Sequence, residues 1–411
     1  MDDPICRFCH NRLEHTFCVL GMTPLSNAYL TRQDLGKMEP FYPLHAYVCD
    51  RCLLVQVLDV QSPENIFTDY AYFSSYSESW LEHVSKFAEM AVNRFKLCEN
   101  DVVIEVASND GCLLKNFVDR GFNVLGIEPA ANVAEVAESA GVHTLVTFFG
   151  VDTARKLAGK EQFASLLIAN NVLAQVPDIN DFVAGIKIVL DKCGVATLEF
   201  SHILKLIAEN QFDTIYHEHF SYLSLITVSA IFKRHGLSVF DVEKLWTHGG
   251  SLRVYVCHSE NADLPVLDGV TQLLREEIEA GLTDIGYYQA FGERVKTTKR
   301  DILEFLIEIK REGKQVVAYG AAAKGNTLLN YCGIGSDFID FAVDRNPHKQ
   351  GLFLPGTHIP VRAPEAVSLA KPDYLLILPW NFKDEIMRQM SEIRSWGGRF
   401  IVPIPAIQAL D

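Results

Sequence analysis

The sequence predicts an α/β protein in three parts, with a small metal-binding domain followed by two Rossmann-like domains. Two C-x2-C pairs lie within the first 52 residues, and two later stretches, beginning near residues 102 and 314, follow the order strand, small-residue turn, helix, strand. A chain of 411 residues is long enough for two or three domains. We therefore place the domains at residues 1–65, 66–240 and 241–411.

Four cysteines near the N-terminus form two close pairs, Cys6 with Cys9 and Cys49 with Cys52. Each pair is expected to form a tight knuckle that directs both sulfurs to one point, and four thiolates suit the tetrahedral preference of Zn2+. Four sulfurs complete the coordination shell, so the predicted zinc is structural rather than catalytic. The alternative is four reduced cysteines in the core of a cytosolic protein.

The first βαβ unit, VVIEVASNDGCLLKNFVDRGFNVLGIEPA at 102–130, predicts a nucleoside-binding site. Gly111 in its turn is expected to let the backbone approach a ligand, and Glu128 at the end of its second strand can accept hydrogen bonds from ribose hydroxyls. The turn lacks G-x-G-x-x-G and carries Asp110, whose negative charge opposes a pyrophosphate. These features favour S-adenosylmethionine (SAM) over NAD. The alternative is a structural βαβ unit without a ligand.

Two neighbouring segments extend the predicted cofactor site. Asn170 and Asn171 end an apolar run, and ligands of open α/β sheets bind at the carboxyl ends of the strands. The segment 69–90 begins rich in tyrosine and serine, and it is expected either to cover the cofactor or to pack on the sheet edge. The predicted cofactor-binding residues are Tyr70, Tyr72, Ser75, Glu105, Ala107, Asn109, Gly111, Glu128, Pro129, Asn170 and Asn171.

The second unit, KQVVAYGAAAKGNTLLNYCG at 314–333, has a basic turn where the first unit has an acidic one. Lys324 stands at the predicted start of a helix, where its charge and the free backbone N–H groups suit a phosphate. We expect Lys324, Asn326 and Thr327 to bind a phosphorylated substrate. On its own, a glycine-rich turn is equally compatible with no bound phosphate.

Four side chains that can handle protons, Tyr216, His217, Glu218 and His219, lie together in DTIYHEHFSYLSL at 213–225. Three interpretations are open: a metal site, a proton-transfer site, or a polar knot in a folded core. On a strand the two histidines would share a face but no third metal ligand is evident, and on a helix they would point apart. Histidine is the commonest general base, which favours proton transfer.

The overall composition argues against several partners. The net charge is −15, and no long basic run provides the lysines and arginines that contact nucleic-acid phosphates. No uninterrupted apolar run reaches about 18 residues, and the N-terminus MDDPICRFCH lacks the layout of a signal peptide. We therefore expect a cytoplasmic protein that acts on a small molecule away from membranes, as a monomer or a weak oligomer.

Several motifs together resemble the SAM-dependent sugar C-methyltransferases that act on nucleotide-linked 4-keto-6-deoxyhexoses. These motifs are the two C-x2-C knuckles, EVASNDG, ANNVLA, YHEHFSY and YGAAAKGNTLLN, and the resemblance covers essentially the full chain. It implies methylation at C3, with SAM in the central domain and S-adenosylhomocysteine as a product. It also implies that the nucleotide sugar lies against the C-terminal domain.

The resemblance further implies residue roles. His219 corresponds to the family base, and Tyr216 and Glu218 correspond to residues that line the sugar site. We add His217 in a supporting role and Tyr222 as a substrate contact. A ketone makes the hydrogen on the adjacent carbon removable because the resulting anion is an enolate. The reaction therefore needs a base such as histidine and a donor, here Tyr216, near the enolate oxygen.

Two other functions stay open. A nucleotide-sugar epimerase or isomerase would use the same base without a methyl donor, and a zinc-containing binding protein would use no base at all. Asp110 argues against NAD and so against the first, whereas Glu128 and YHEH argue against the second. A zinc-bearing RNA methyltransferase is disfavoured by the net charge of −15. Gln175 stands where the family commonly has a histidine, so one titratable group near the sugar is missing.

Overall fold

A computed structural model describes residues 4–62, 74–76 and 78–411 of the chain. The β-strands are β1 His15–Thr23, β2 Tyr42–Val48, β3 Val55–Val57, β4 Val102–Val106, β5 Asn123–Ile127, β6 Thr144–Leu145, β7 Ala164–Asn170, β8 Leu190–Ser201, β9 Ser221–Tyr222, β10 Leu237–Leu245, β11 Ser251–His258, β12 Val316–Tyr319, β13 Ala342–Val343, β14 Val361–Arg362, β15 Tyr374–Ile377, β16 Arg399–Val402 and β17 Gln408–Leu410. The α-helices are α1 Glu78–Phe95, α2 Lys115–Val118, α3 Ala131–Ser139, α4 Val151–Ala158, α5 Ile179–Val189, α6 Ile203–Ala208, α7 Leu225–Arg234, α8 Asp268–Glu279, α9 Ile285–Gln289, α10 Phe291–Arg311, α11 Ala323–Cys332, α12 Ala366–Ala370 and α13 Lys383–Gln389. Short 3-10 helices lie at Asp34–Gly36, Ser74–Tyr76, Leu173–Gln175, Phe212–Thr214, Thr247–Gly249, Trp380–Phe382 and Ser391–Trp396. Among the helices in these ranges, none combines the length and the apolar character that crossing a membrane requires.

The central domain is built on a seven-stranded sheet in the order β10-β11-β8-β7-β4-β5-β6. Strands β4 to β8 run parallel, and β11 and β10 add an antiparallel edge. Successive residues of β4 enter different cores: Val103 packs in the cluster that contains Phe87 of α1, and Ile104 in the cluster that contains Phe182 of α5. Helices therefore cover both faces, which explains why the central strands are almost uniformly apolar. The predicted domain boundary after residue 240 lies inside β10, and β10 pairs with β11 in this same sheet.

The C-terminal domain repeats the strand–turn–helix pattern on a second sheet. Its order is β14-β13-β12-β15-β16-β17, and the strands run parallel except for β17. Asp344, directly after β13, accepts hydrogen bonds from the backbone N–H groups of Ala321 (2.7 Å) and Asn346 (2.8 Å). This acid therefore ties the turn before α11 to the end of the second strand.

The N-terminal sheet takes one strand from a distant part of the chain. It is antiparallel, in the order β1-β2-β3-β9, and β9 consists of Ser221 and Tyr222 from the YHEHFSY segment. Phe17 of β1 stacks on Phe291 of α10 with ring centroids 4.6 Å apart, and Phe8 joins the core beneath the central sheet. The N-terminal domain is thus packed against both of the others.

Candidate active site

A cavity of about 540 Å³ lies where the three domains meet. One part of its lining consists of residues that follow β4, β5 and β7, a second part belongs to the YHEHFSY segment, and a third part includes residues that follow β12. The predicted site residues that line it are Ala107, Asn109, Glu128, Pro129, Asn170, Asn171, Tyr216, His219, Tyr222 and Lys324. Those that do not line it are Ser75, Glu105, Gly111, His217, Glu218, Asn326 and Thr327, while Tyr70 and Tyr72 lie outside the described residues. The fold therefore joins the predicted cofactor, base and phosphate regions in one space.

The four paired cysteines converge on one point away from this cavity. Their sulfur atoms all lie within 4.8 Å of one another, and the Cys6–Cys52 and Cys9–Cys49 pairs are each 3.5 Å apart. Tetrahedral zinc with Zn–S bonds of about 2.3 Å places its sulfurs about 3.8 Å apart, so the donor set fits Zn2+. Since none of the four cysteines lines the cavity, the metal would have a structural role.

The turn after β4 has an unusual backbone. Ala107, Asn109 and Gly111 have positive φ angles of 56°, 50° and 76°. This left-handed conformation is routine for glycine, tolerated by asparagine and costly for alanine. A Cβ atom on Gly111 would lie 3.0 Å from a methyl group of Val142 and 3.1 Å from the Cβ of Ala137. Gly111 is therefore needed for the backbone angle and for packing against α3, rather than for the approach of a ligand.

Glu128, directly after β5, forms a hydrogen bond with the backbone of this turn. Its two carboxylate oxygens accept hydrogen bonds from the backbone N–H groups of Asn109 (3.0 Å) and Ala130 (2.9 Å). Burial raises the pKa of Glu128, and the two N–H donors oppose that shift. Each oxygen keeps a second lone pair, and the carboxylate lines the cavity, so it can also accept hydrogen bonds from ribose hydroxyls. A second buried acid, Glu105, lies in β4. Burial and the charges of Asp110 and Glu128 raise the pKa of Glu105 well above its usual value.

Replacing Glu128 by alanine is expected to weaken SAM binding roughly 10- to 100-fold, because a hydrogen bond to a charged group contributes about 1.5–3 kcal/mol. Titration calorimetry measures the change directly. Glu135→Ala, on the exposed side of α3, is the matched control and should leave the affinity unchanged. Equal affinities in the wild type and Glu128→Ala would show that the ribose is not held at this carboxylate.

Asn170 provides a further sign that this end of the cavity accepts a polar ligand. Both polar atoms of its side chain are buried and have no hydrogen-bond partner among the described residues. An unsatisfied buried polar group costs about 1–3 kcal/mol, which a ligand in the cavity would recover. Asn171 follows with a φ of 56° and donates its backbone N–H to the Glu199 carbonyl (2.8 Å). These residues fit the nucleoside part of SAM.

Asp110 does not face the cavity. Its carboxylate accepts the backbone N–H of Ser75 (2.9 Å), and the side chain of Asn109 accepts the N–H of Ser74 (2.9 Å). These bonds hold the short helix Ser74–Tyr76 over the turn, so that Ser74 lines the cavity while Ser75 is exposed. Asp110, which was predicted to oppose a pyrophosphate, therefore positions the short helix beside the cavity and does not point at the ligand.

A β-turn presents Tyr216 and His219 to the cavity. The His219 N–H donates to the carbonyl of Tyr216 (3.0 Å), which closes the turn. The Tyr216 hydroxyl lies 2.8 Å from Nε2 of His219, and the carbonyl of Thr214 lies 3.1 Å from Nδ1. Because a carbonyl can only accept, Nδ1 carries the ring proton and Nε2 accepts the tyrosine hydroxyl.

His219 is held in its neutral form. Burial lowers the pKa of His219 to about 3, and the neighbouring Lys324 and His248 act in the same direction. The bond to Thr214 acts in the opposite direction. A neutral imidazole with its lone pair on Nε2 is the form that a general base requires.

The two central residues of the turn point into the protein. His217 is buried, with Nε2 3.3 Å from the carbonyl of Pro43 and its ring edge-on to Tyr42. Glu218 accepts a hydrogen bond from the side-chain amide of Asn27 (2.6 Å), and burial raises the pKa of Glu218 to about 7. His217 thus anchors the turn to β2, and Glu218 orients Asn27, which lines the cavity.

Lys324 lies in the first turn of α11 at the far end of the cavity. Its Nζ is 4.9 Å from the centroid of the Trp380 ring and 3.4 Å from the carbonyl of His248. The Trp380 indole donates to Asp213 (2.7 Å). Burial lowers the pKa of Lys324, and Asp213 opposes that shift. The ammonium, indole and carboxylate form one cluster beside the Tyr216–His219 turn.

A second lysine reaches the same end. Lys349 donates to the carbonyl of Ala321 (2.7 Å) and lines the cavity. Asn326 instead donates to the carbonyl of Ser26 (2.6 Å), and the Thr327 hydroxyl lies 3.4 Å from that of Ser26. These two residues of α11 therefore join the C-terminal domain to the N-terminal one.

The sequence did not predict several polar residues at the site. Asn27, His248 and Lys349 line the cavity, and Asp213 and Trp380 form the cluster with Lys324. Trp380 follows the apolar run YLLILP, so its place at the carboxyl end of a strand was a usable signal. His248 precedes two glycines in the sequence, which is a signal for a turn. In the structure His248 itself has a φ of 54°. Asn27 and Lys349 carry no local signal, because only packing between domains brings them to the cavity.

Known protein families match three consecutive segments of the chain. Family models match a zinc binding domain at residues 6–67, a methyltransferase domain at 80–242 and a C-methyltransferase C-terminal domain at 246–405. C-methyltransferase NovU from Streptomyces niveus is 36% identical over 400 residues, which cover 97% of this chain and 95% of that protein.

Similar solved structures include two methyltransferases. One is the S-adenosylmethionine-dependent methyltransferase from Clostridium acetobutylicum ATCC 824, with a TM-score of 0.35 and 10% identity over 43% of this chain and 92% of the other. The other is magnesium protoporphyrin IX methyltransferase from Synechocystis PCC 6803 with bound SAM, with a TM-score of 0.34 and 13% identity over 44% of this chain and 79% of the other.

The relative matches nearly the whole length of both chains, so the match spans all three domains of this chain. The three family models follow the same order along the sequence. The predicted α/β fold, the SAM cofactor, the zinc-binding domain and the methyltransferase activity are thereby confirmed. This chain belongs to the SAM-dependent C-methyltransferases that carry an N-terminal zinc-binding domain.

Proposed function

We propose that this enzyme transfers the methyl group of SAM to C3 of a nucleotide-linked 4-keto-6-deoxyhexose. One observation carries the proposal: the cofactor turn, the Tyr216–His219 pair and Lys324 line the same cavity. The charge of Lys324 acts on His219, so the cationic end of the cavity, lined by Lys324 and Lys349, lies close to this pair. A sugar whose diphosphate lay at Lys324 would therefore place its ring beside the base, facing the methyl donor.

The reaction needs a base and an oxygen stabiliser at neighbouring atoms. In the free site the Tyr216 hydroxyl donates to Nε2 of His219 (2.8 Å). When this hydroxyl donates to the ketone oxygen instead, it stabilises the developing enolate and frees the lone pair of Nε2. Nε2 then takes the proton from C3, and the C–H electron pair moves into the enolate.

The remaining steps restore the ketone. The enolate carbon forms a bond to the methyl carbon, and the carbonyl at C4 re-forms. SAM supplies an electrophilic methyl group on a sulfonium, which becomes a neutral thioether when the methyl leaves. His219 keeps the C3 proton until it passes to solvent, and Tyr222, which lines the cavity, is proposed to contact the sugar.

The cationic end suits the diphosphate. Lys324 and Lys349 line it together with the first residues of α11, and a helix N-terminus adds free N–H groups and a positive dipole end. A bound anion would also offset the charge of Lys324, which helps to lower the pKa of His219. Substrate binding would therefore raise the pKa of the base at the moment when it must take a proton.

The test is incubation with SAM and either a TDP- or a GDP-linked 4-keto-6-deoxyhexose. Mass spectrometry is expected to show a gain of one CH2, and a substrate deuterated at C3 should lose its label. SAM binding without methylation of any such sugar would contradict the substrate assignment. An isomerised sugar of unchanged mass, formed without SAM, would instead indicate an epimerase or isomerase.

A further inference from the structure

Gln56 connects the zinc-binding cysteines to the wall of the cavity. It lies in β3, four residues after Cys52, and is 1% exposed. Its side-chain amide donates to Sγ of Cys6 (3.2 Å) and accepts the backbone N–H of Arg7 (2.9 Å). Hydrogen bonds to metal ligands orient those ligands, so the position of Gln56 is linked to that of the first knuckle.

The same strand holds the segment that follows the catalytic turn. β3 pairs with β9, so Gln56 lies opposite Ser221, and the Val57 N–H donates to the carbonyl of Phe220 (3.1 Å). Phe220 directly follows His219 in the chain. A shift of β3 would therefore move the residues that present His219 to the cavity.

Arg7 connects the same knuckle to a second wall. Its guanidinium donates to the carbonyls of Pro177 and Val57, each at 2.6 Å, and lies 5.2 Å from the centroid of the Phe220 ring. Pro177 lines the cavity two residues after Gln175. The first knuckle therefore contacts both the 173–177 segment and the segment after the catalytic turn.

We propose that zinc positions the catalytic turn through Gln56. The metal fixes the first knuckle, and the hydrogen bond from Gln56 to Cys6 fixes β3 relative to that knuckle. The β3–β9 pair in turn holds Tyr216 and His219 against the cavity. Gln56 does not line the cavity, so it is a positioning residue. The cofactor turn at 107–111 is held separately by Glu128 and α3, so its backbone does not depend on the metal. This inference rests on the proposed role of Tyr216 and His219, whereas the exchange measurement that tests it needs no sugar.

Hydrogen–deuterium exchange of the full chain tests the proposal without any substrate. Removal of zinc by a chelator is expected to raise exchange roughly tenfold at Val55–Val57 and 220–222, because the hydrogen bonds of the β3–β9 pair would open more often there. Exchange at 107–111 should stay unchanged, and SAM should still bind. Unchanged exchange at 220–222 in the zinc-free enzyme would overturn the proposal.

Gln56→Met separates positioning from metal retention. The methionine has a similar shape but donates no hydrogen bond to Cys6. The variant is expected to keep its zinc and its SAM affinity, to show the same raised exchange at 220–222, and to lose about tenfold in kcat with an unchanged KM for SAM. Asn11→Ala, which removes a 2.6 Å bond to Asp50 in the same domain, is the control and should show none of these effects. Loss of zinc from Gln56→Met, or normal exchange in it, would overturn the positioning role.

Discussion

His219→Asn is expected to lower kcat roughly 1000-fold while SAM affinity stays unchanged, because a positioned general base typically contributes about 10²–10⁴-fold. Asparagine keeps a polar side chain that can still contact the carbonyl of Thr214, so the turn should persist. It lacks the basic Nε2 that would take the C3 proton. Turnover is followed by mass spectrometry, and SAM binding by calorimetry.

Two further variants provide a control and a test of the hydroxyl donor. His143→Asn, at an exposed position of the central domain, is the matched control and should leave kcat unchanged. Tyr216→Phe should lower kcat by about 10²-fold, because the enolate oxygen loses its donor. Full turnover in His219→Asn would discard the assignment of the base.

The pH dependence follows from the same environment. The pKa of His219 is about 3 in the free site, so its ring is neutral at higher pH. The free-enzyme profile of kcat/KM should therefore show no inflection from His219 between about pH 5 and 8. Because a bound anion at Lys324 raises this pKa, the acid limb of kcat should lie at higher pH than that of kcat/KM. An inflection of kcat/KM near pH 6.5 that disappears in His219→Asn would contradict the buried neutral state.

Lys324→Met is expected to raise the KM for the nucleotide sugar roughly 10- to 100-fold, because a charge-assisted contact of about 1.5–3 kcal/mol with the phosphate is lost. Methionine keeps the length and the apolar contact with Trp380 while removing the charge. Calorimetry with the free nucleoside diphosphate measures the same loss without turnover. SAM affinity should be unchanged, since Lys324 lies at the other end of the cavity.

Lys371→Met is the matched control, since this lysine is exposed in the same domain and does not line the cavity. Lys324→Met should also move the acid limb of kcat/KM to higher pH, because one of the charges that lower the pKa of His219 is gone. If nucleoside diphosphate binds equally to the wild type and Lys324→Met, the phosphate lies elsewhere.

The parts of the site that lie close together in sequence were predictable. Cys6 and Cys9 are three positions apart, so a single knuckle brings both sulfurs to one metal whatever the rest of the chain does. Glu128 ends a strand that is parallel to β4, so it must lie beside the turn that follows β4. For the same reason Asn170, at the end of β7, reaches the same edge of the sheet.

The direction of each side chain in YHEHFSY was not predictable. A strand would have put His217 and His219 on one face and a helix would have separated them, but the segment is a β-turn whose ends face the cavity. The turn is held by β9, which pairs with β3 from the zinc-binding domain. Local propensity carries no information about a partner strand so far away in the chain.

The sequence by itself therefore determined the three-part α/β fold, the cysteine cluster, the part of the cavity proposed for the nucleoside and the segment that holds the proposed base. The tertiary structure alone decided that His219 and Tyr216 face the cavity while His217 and Glu218 do not. It also added Lys349, Asp213 and Trp380 to the cationic end. The physical reason is that patterns within one element specify local geometry, whereas contacts between domains depend on the packing of surfaces that no short stretch of sequence encodes.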